Sequence, residues 1–234
     1  MITPIAMPVK PTLFHTQFWS SSRPAYLLKC LGLTGKDGPV TITNITGEQL
    51  KTDPILTQLN PQRRLPFFYD PDKDLKLNES GGLVQYLLET YDPTGKLWPF
   101  DPSDPTRPEF LKLIHFGPGT AYHIAVPILF HYMPPEGMEP TSKKELETKQ
   151  KEFHTIMAPT YEQALEKFGG PFLLGETFTA ADIICGYDLM TIGFSGCGKE
   201  LLGAHPAVQA YLEHISQCPI YKELYTPPSP PPSN

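Results

Sequence analysis

Basic charge, paired cysteines and long apolar runs are all scarce in this sequence of 234 residues. The formal net charge is −6, so the chain has no basic surplus to attract a nucleic-acid backbone or an anionic membrane surface. Eighteen consecutive apolar residues, enough to span a bilayer as a helix, occur nowhere. We therefore expect neither nucleic acid nor a membrane as a partner.

The four cysteines lie far apart in the sequence, and none belongs to a C-x-x-C pair. Their positions are Cys30, Cys185, Cys197 and Cys218. This spacing predicts inert thiols in a reducing compartment and no zinc site. The N-terminal stretch has no sustained apolar core of the kind that secretory signals carry. A cytoplasmic protein is the expectation.

Several motifs of common enzyme classes are also missing. The seven histidines show no H-E-x-x-H or mixed Cys/His metal spacing, so we predict no metal. The sequence has no phosphate-binding G-x-x-x-x-G-K-S/T loop, no dinucleotide G-x-G-x-x-G fingerprint and no G-x-S-x-G elbow. Nucleotide-dependent and serine-hydrolase chemistry are therefore not expected.

The N-terminal region alternates short strand signals with a helix signal. Residues 12–16 and 40–45 are rich in β-branched and apolar side chains, which predicts two strands. Between them, Pro24 fits the first turn of a helix and Gly32 ends it. A helix that connects two strands predicts a parallel, right-handed βαβ unit.

A hairpin is predicted next. Pro66 keeps Leu65 in extended geometry at a strand entrance, because proline does not fit inside a central ladder. The turn-rich residues 70–74 then reverse the chain from the apolar run 67–69 into residues 75–77. This pattern indicates two antiparallel strands.

Another helix follows the hairpin directly. Apolar residues recur at helical spacing after Ser80, which stands at the N-cap position. The unpaired amides of a helix start favour an anion, while the neighbouring Glu79 carboxylate favours a cation. One small zwitterion satisfies both groups. The element order becomes βαβαββα, which predicts a thioredoxin-like domain over residues 10–91.

The composition changes at the end of this domain. Residues 92–107 are rich in proline and predict a linker. Residues 108–225 carry helical periodicity, interrupted in the first helix near residues 117–119, and predict an all-helical domain. The proline-rich residues 226–234 predict a disordered tail. The fold class is therefore α/β plus all-α.

Two helix starts in the second domain carry capping signals. Ser142 with Glu145 forms a capping box ahead of a long helix that Pro159 is expected to kink. Thr179 with Asp182 forms another box. We therefore expect the Asp182 carboxylate to serve folding and not acid catalysis.

Three motifs together resemble the soluble glutathione transferases. Residues 60–66 (Asn-Pro-Gln-Arg-Arg-Leu-Pro) resemble the family's Asn-Pro-x-Gly-Lys-Val-Pro element, and residues 78–80 resemble its Glu-Ser element. Residues 172–182 resemble its Phe-Leu-x-Gly and Ser/Thr-x-x-Asp box. The resemblance covers residues 11–225 and points to a serine-type or related bacterial and fungal branch.

This resemblance implies a glutathione site in the first domain. In the family, the proline that matches Pro66 is cis and exposes the preceding backbone, here that of Leu65, to the cysteinyl part of glutathione. The residues that match Glu79 and Ser80 hold the γ-glutamyl amine and carboxylate. Arg64 stands at the family's lysine, where it would pair with the glycyl carboxylate. An arginine at position 63 replaces the family's glycine, so the shape of this loop is left undetermined by the resemblance.

In the serine-using classes, a hydroxyl just before the first helix activates the thiol of glutathione. The usual serine lies where this chain has Phe18 and Trp19. The serines here lie closer to the helix, at Ser20, Ser21 and Ser22. A hydroxyl that donates to the sulfur lowers the thiol pKa, because it stabilises the charged form. Ser20 is the first choice and Ser21 the second, and the alternative is that all three are capping and turn residues.

By the same resemblance, aromatic side chains border a pocket for a small apolar electrophile. Pro118 stands near this pocket where relatives carry a glutamate. The candidates for the pocket are Phe18, Trp19, His115, Phe116, Tyr122 and His123.

The function that the resemblance implies is that of a glutathione transferase, which adds the thiolate of its co-substrate glutathione to an electrophile in detoxification. A homodimer is also expected, because members of the family generally pair and twofold assemblies are common. Two alternatives stay open: a non-catalytic glutathione-binding or regulatory module of the same fold, and a glutathione-dependent isomerase or peroxidase. The lack of a cysteine before the first helix weighs against reductase chemistry.

Overall fold

A computed structural model describes residues 4–225, so the predicted tail at residues 226–234 lies outside the described part of the chain. Its N-terminal half is built on a four-stranded sheet in the order β2-β1-β3-β4. Strand β1 is parallel to β2 and antiparallel to β3, which pairs in turn with β4. The strands are β1 (Thr12–His15), β2 (Thr41–Asn44), β3 (Phe67–Asp70) and β4 (Leu75–Leu77).

Four helices accompany the sheet. Helix α1 connects the parallel strands β1 and β2, as the βαβ prediction requires. The segment between β2 and β3 is split into two short helices, because Asp53 caps the second one and Pro54 begins it. The Asp53 carboxylate accepts the Ile55 and Leu56 N–H groups at 2.9 and 3.0 Å. The helices are α1 (Ser22–Cys30), α2 (Gly47–Thr52), α3 (Pro54–Leu59) and α4 (Ser80–Tyr91).

Within the described residues, the chain from Arg107 onward is helical, and no strand or helix is assigned between Tyr91 and Arg107. The helices are α5 (Arg107–Phe116), α6 (Tyr122–Tyr132), α7 (Lys143–Glu152), α8 (Ala158–Phe168), α9 (Ala180–Phe194), α10 (Gly198–Gly203), α11 (Pro206–Ile215) and α12 (Pro219–Tyr225).

Two π-helical turns lie where the sequence predicts one interrupted helix and one kinked helix. Gly117–Ala121 joins α5 to α6, and Phe153–Met157 joins α7 to α8 just before Pro159. Gly117 lets the first turn approach α9, since a Cβ there would lie 2.2 Å from the Cγ2 of Ile184. Wide turns of this kind are typical of positions where proline interrupts the helical hydrogen-bond ladder.

Helix α9 lies at the centre of the helical half, and its residues from Ala180 to Ile192 are all buried. The continuous helix Arg107–Tyr132 is long and apolar enough to span a membrane by composition, with 26 residues and a mean hydropathy of 1.2 in an 18-residue window. Its buried residues, such as Leu113 and Ile124, belong to the same core as α9. That core continues into α1 and α4, so the two halves share one apolar interior.

Candidate functional site

A cavity of about 190 Å³ opens where the two halves meet. Three backbone segments of the first half border it: the turn before α1, the loop before β3, and the start of α4. The π-helical turn and the first residues of α6 close the other side. The lining residues are Ser20, Arg23, Arg64, Leu65, Pro66, Asn78, Glu79, Ser80, Pro118, Tyr122 and His123.

Of the three serines around the start of α1, only Ser20 lines the cavity. Its hydroxyl donates to the Leu65 carbonyl at 3.1 Å, which joins the turn to the loop before β3. Ser21 is fully buried, and its hydroxyl accepts the Thr16 N–H at 3.2 Å. Ser22 is also fully buried, and its hydroxyl has no hydrogen-bond partner among residues 4–225. The geometry therefore separates one accessible hydroxyl from two that belong to the fold.

The buried Ser21 also bonds to a histidine at the end of β1. The His15 Nδ1 lies 3.0 Å from the Ser21 Oγ, and that hydroxyl also donates to the Thr16 carbonyl at 3.2 Å. Because the single hydroxyl hydrogen goes to Thr16, the network assigns the His15 proton to Nδ1. Burial, together with the nearby Lys29 charge, lowers the pKa of His15 to about 4.

The loop before β3 has the shape that the resemblance implies. The Leu65–Pro66 peptide bond is cis. Arg63, which replaces the family's glycine, has a φ of 52°, so it adopts the left-handed conformation that glycine favours. The arginine therefore keeps the turn that a glycine would make at this position.

Two asparagine side chains hold this loop in place. Asn60 is 1% exposed, and its amide donates to the Arg64 carbonyl at 2.8 Å. The Asn78 amide donates to the Pro66 carbonyl at 3.2 Å and to the Arg64 carbonyl at 3.3 Å. The carbonyls around Leu65 are therefore fixed from both sides. The sequence motifs contain both asparagines, yet neither was singled out as part of the site.

The start of α4 presents a carboxylate, a hydroxyl and free amides to the cavity. Glu79 is exposed and has a φ of 68°, a strained conformation for a residue with a side chain. It makes no side-chain cap for α4. Ser80 is 5% exposed and opens the helix. The positive end of the helix dipole and the first N–H groups favour an anion here.

Beneath Ser80 lies a charged residue that the sequence reasoning missed. Arg23 is 1% exposed, and its Nη1 donates to the Ser80 Oγ at 3.1 Å. Its Nη2 donates to Asp188 of α9, which is fully buried. Burial raises the pKa of the Asp188 carboxyl, and Arg23 opposes that rise. An acidic residue in the otherwise apolar middle of α9 signals a buried partner for Asp188, but it does not identify Arg23 as that partner.

Two of the six residues predicted for the electrophile pocket line the cavity. Tyr122 and His123 line it, and burial raises the pKa of the Tyr122 hydroxyl, which therefore stays protonated at neutral pH. Pro118 also lines it and lies against the start of α4, since a Cβ on Gly81 would be 3.0 Å from the Pro118 Cγ.

The other four predicted pocket residues do not line this cavity. Phe116 packs edge-on against Tyr161 at 5.8 Å, because it faces the helical core. His115 is exposed. Phe18 packs edge-on against Phe194 at 5.9 Å, and Trp19 is 48% exposed. Their place in an electrophile pocket stays a prediction, since helical spacing alone does not tell which face of a helix meets the first half.

Among residues 4–225, no cluster of three or more His, Cys, Asp or Glu side chains has an arrangement able to hold a metal ion. All four cysteines are free thiols. Burial raises the pKa of Cys30 to about 12 and that of Cys185 well above its usual range, so both stay protonated and unreactive at neutral pH.

Comparison with protein families matches both halves of the chain. The model for the N-terminal domain of glutathione S-transferases matches residues 14–95. The model for their C-terminal domain matches residues 130–223. The order of the two matched domains is the order predicted from the sequence motifs.

Proteins similar to this chain carry related names. The chain is 26% identical over 203 residues to a glutathione S-transferase-like protein, OpS6, of Beauveria bassiana, which covers 86% of this chain and 87% of the relative. A shorter match, 40% identical over 70 residues, covers 30% of this chain and 28% of a glutathione S-transferase-like protein, gedE, of Aspergillus terreus.

Solved structures match over almost the whole chain. A glutathione transferase family member from Pseudomonas fluorescens, with two glutathione molecules bound, superimposes with a TM-score of 0.74 and 21% identity. The match covers 94% of each chain. At this identity the likeness establishes the fold, a thioredoxin-like domain followed by a helical domain.

Proposed function

Because this chain belongs to the soluble glutathione transferase family, we propose that it binds glutathione in the cavity and adds the glutathione thiolate to an electrophilic small molecule. The observation that supports the proposal is the shared cavity. The Ser20 hydroxyl, the backbone of Leu65 and the start of α4 at Glu79 and Ser80 all border it.

Each end of glutathione has a chemically matched partner in this proposal. The Glu79 carboxylate pairs with the γ-glutamyl amine, while the Ser80 hydroxyl and the first amides of α4 hold the γ-glutamyl carboxylate. The backbone of Leu65, presented by the cis Pro66 bond, pairs with the cysteinyl part. Arg64, which is exposed at the rim, pairs with the glycyl carboxylate.

The thiol then lies beside Ser20. The Ser20 Oγ is 3.1 Å from the Leu65 carbonyl, so a cysteinyl group paired with Leu65 brings its sulfur within reach of the same hydroxyl. Donation to the sulfur favours the thiolate and lowers the thiol pKa from about 8.5. The proton leaves to solvent, the sulfur forms the new bond to carbon, and the leaving group departs where the electrophile carries one.

The electrophile enters from the side of the helical half. Tyr122 and His123 line that side of the cavity. We propose residues 10–91 as the glutathione-binding domain, residues 92–107 as the linker and residues 108–225 as the electrophile-binding domain. Trp19, exposed beside Ser20, is available to a ligand that projects from the mouth of the cavity.

Binding is tested by thermal unfolding with and without glutathione. A ligand at about a hundred times its Kd stabilises the folded state by about 2.7 kcal/mol, which raises the Tm of a chain of this length by about 5–10 °C. Cysteinylglycine, which lacks the γ-glutamyl group, is the control and is expected to give little shift. An unchanged Tm and no calorimetric heat at millimolar glutathione would reject the assignment.

Turnover is tested with a panel of electrophiles: halogenated aromatics, isothiocyanates and peroxides. One observation favours a second candidate, a glutathione-binding module without turnover. The Ser20 hydroxyl already donates within the protein, to Leu65. Binding without turnover across the panel would favour that module, and turnover of peroxides or of isomerisable substrates alone would favour peroxidase or isomerase activity.

We also propose a homodimeric assembly and a cytoplasmic location. The homodimer that is general in the family predicts a mass near twice 26.2 kDa by light scattering, and a mass near 26.2 kDa at all concentrations would contradict it. Four free thiols fit a reducing compartment, so we propose a cytoplasmic location, which cell fractionation tests.

A further inference from the structure

The strongest unexplained feature is a buried cation beneath the predicted ligand. Arg23 of α1 is 1% exposed and connects two other helices. Its Nη1 donates to Ser80 at the start of α4, at 3.1 Å, and its Nη2 donates to Asp188 in the middle of α9. Three elements from both halves of the molecule therefore meet at one guanidinium.

A buried ion pair of this kind is a weak source of stability. Removing two charges from water costs several kcal/mol, and well-packed apolar residues of similar volume often stabilise a protein as well or better. Here the guanidinium is also enclosed by aromatic rings, 4.4 Å from the centroid of Tyr187 and 5.4 Å from that of Tyr122. A role in the neighbouring site explains the pair better than a role in stability.

The chemistry of the Ser80 hydroxyl indicates what that role is. A serine hydroxyl has one hydrogen to donate and two lone pairs to accept with, whereas a guanidinium only donates. Since Arg23 occupies a lone pair of the Ser80 oxygen, the hydroxyl hydrogen is left to point away from Arg23, towards an acceptor. A carboxylate is the strongest such acceptor, and the positive charge of Arg23 and the start of α4 attract it further.

We propose that Arg23, held by Asp188, is a positioning residue that fixes the Ser80 hydroxyl as a donor to the α-carboxylate of the γ-glutamyl group. Asp188 thereby lets the helical half set the affinity of the first half for one functional group of glutathione. This inference rests on the proposed function, because it takes glutathione as the ligand of the cavity.

The first variant replaces the pair by apolar residues of similar size, Arg23→Met with Asp188→Leu, which leaves no buried charge unpaired. A second double variant, Arg23→Gln with Asp188→Asn, keeps a neutral polar pair and serves if the apolar one fails to fold. The matched control is Lys29→Met with Glu223→Leu. It removes another ion pair between α1 and the helical half, 2.7 Å long, which does not contact Ser80.

Three ligands are titrated calorimetrically into each protein: glutathione, its deamino analogue and its decarboxy analogue. The deamino analogue keeps the γ-glutamyl carboxylate, while the decarboxy analogue keeps only the amine. We expect the variant at Arg23 and Asp188 to lose about tenfold to a hundredfold in affinity for glutathione and for the deamino analogue. The decarboxy analogue is expected to bind the unmodified protein weakly, and its affinity is expected to be the same in the variant.

The outcomes separate the two claims. If the unmodified protein does not bind glutathione, the proposed function fails and the inference fails with it. If the unmodified protein binds but both double variants bind all three ligands unchanged, only the inference is overturned. An equal loss for all three ligands also overturns it, because that pattern indicates general damage to the cavity. Equal selective loss in the Lys29 and Glu223 control would overturn it as well.

Discussion

The starts of helices α4 and α9 carry the same types of side chain and use them in opposite ways. At α9, the Asp182 carboxylate is 1% exposed and accepts hydrogen bonds from Thr179, Leu173 and Tyr211, all at 2.8–3.0 Å. At α4, the Glu79 carboxylate is exposed and caps nothing. A carboxylate whose acceptor capacity is filled by the fold has none left for a ligand.

The same contrast separates two neighbours in the turn before α1. Ser21 is fully buried and bonded to both backbone groups of Thr16. Ser20 lies at the cavity, and its hydroxyl makes a single hydrogen bond within the described part of the chain, to Leu65. In both comparisons the two side chains are of the same or nearly the same type. The side chain whose hydrogen bonds are all made within the fold has a structural role, and the side chain with unused hydrogen-bonding capacity is available to a ligand.

The largest loss of stability is expected when the Asp182 carboxylate is removed from the start of α9. Asp182→Ala leaves the Leu173 and Thr179 N–H groups and the Tyr211 hydroxyl without their buried acceptor. Each unsatisfied donor costs about 1–3 kcal/mol, so the free energy of unfolding should fall by about 4 kcal/mol or more. Urea unfolding followed by circular dichroism measures this.

Glu79→Ala is the matched control, because it removes a carboxylate from the other helix start. Since Glu79 is exposed and makes no cap, the free energy of unfolding should change by no more than about 0.5 kcal/mol. Equal destabilisation by the two variants would refute the contrast between the helix starts.

A second large effect concerns pH and the buried His15. Its pKa falls from 6.5 to about 4 in the folded protein, because burial and then the Lys29 charge disfavour the imidazolium. The unfolded chain therefore binds one more proton than the folded one between these values. Stability is lost as the pH falls from 6.5 to 4, by about 3 kcal/mol in total.

The His15→Gln variant lacks this titration, so the stability difference between it and the unmodified protein should shrink over that range. His115→Gln, which removes an exposed histidine, should keep the acid-dependent loss. Denaturant unfolding at intervals between pH 4 and pH 7 measures both. If the His15→Gln variant shows the same acid-dependent loss as the unmodified protein, burial does not hold the His15 side chain in its neutral form.

An intermediate effect is expected at the start of α4, where Glu79 makes no cap. Glu79→Gly relieves a side chain from its positive φ of 68°, and should stabilise the free protein by up to about 1 kcal/mol. It also removes the partner of the γ-glutamyl amine, so the affinity for glutathione should fall by about 2 kcal/mol, or thirtyfold. Thermal unfolding and calorimetry on one preparation measure the two changes. A loss of stability in Glu79→Gly would contradict the strain at this position, and an unchanged affinity would contradict the pairing of Glu79 with the γ-glutamyl amine.

Much of the fold was predictable from local sequence signals. The predicted order of the four strands and the helices that follow them is confirmed, because strand alternation, prolines and caps are local properties. The single helix predicted between β2 and β3 is instead two short helices, α2 and α3, since Asp53 and Pro54 begin a new helix there. Asp182 reaches back to the N–H of Thr179 as the capping box predicts. The cis bond before Pro66 follows from the resemblance of residues 60–66 to the family motif.

The parts that were not predictable depend on contacts between distant segments. Asp188 meets Arg23 across 165 positions of sequence, and no periodicity in α9 reveals that partner. Phe116 and Tyr122 lie on a single continuous helix, yet they face the core and the cavity respectively. Residues six positions apart on a helix point in different directions, and only tertiary packing decides which direction meets the first half. The path of the turn before α1, which selects Ser20 over Ser21, is likewise set by contacts with Leu65 and His15.

The smallest effect, and the most direct test of chemistry, is expected at Ser20. If its hydroxyl donates to the bound sulfur, Ser20→Ala should raise the pKa of enzyme-bound glutathione by about one unit, which corresponds to about 1.4 kcal/mol. Turnover near neutral pH should then fall about tenfold while glutathione affinity changes little, because its other contacts lie at Leu65, Glu79 and Ser80. Above both thiol pKa values the two rates should converge, since each enzyme then carries the thiolate. Ser21→Ala is the matched control: it should lower stability, through the lost contacts to Thr16 and His15, and leave the thiol pKa unchanged.

The thiolate absorbance of bound glutathione, recorded against pH for both single variants and for the variant with all three serines replaced, measures this pKa directly. An unchanged titration in the triple variant, with activity retained, would remove the hydroxyls of Ser20, Ser21 and Ser22 from the mechanism. The thiolate would then depend on another donor, and the cavity offers the Tyr122 hydroxyl, whose pKa is raised by burial so that it keeps its proton at neutral pH. The same titration in Tyr122→Phe distinguishes the two donors, because a hydroxyl that stabilises the thiolate must raise the thiol pKa when it is removed, whichever half of the molecule supplies it.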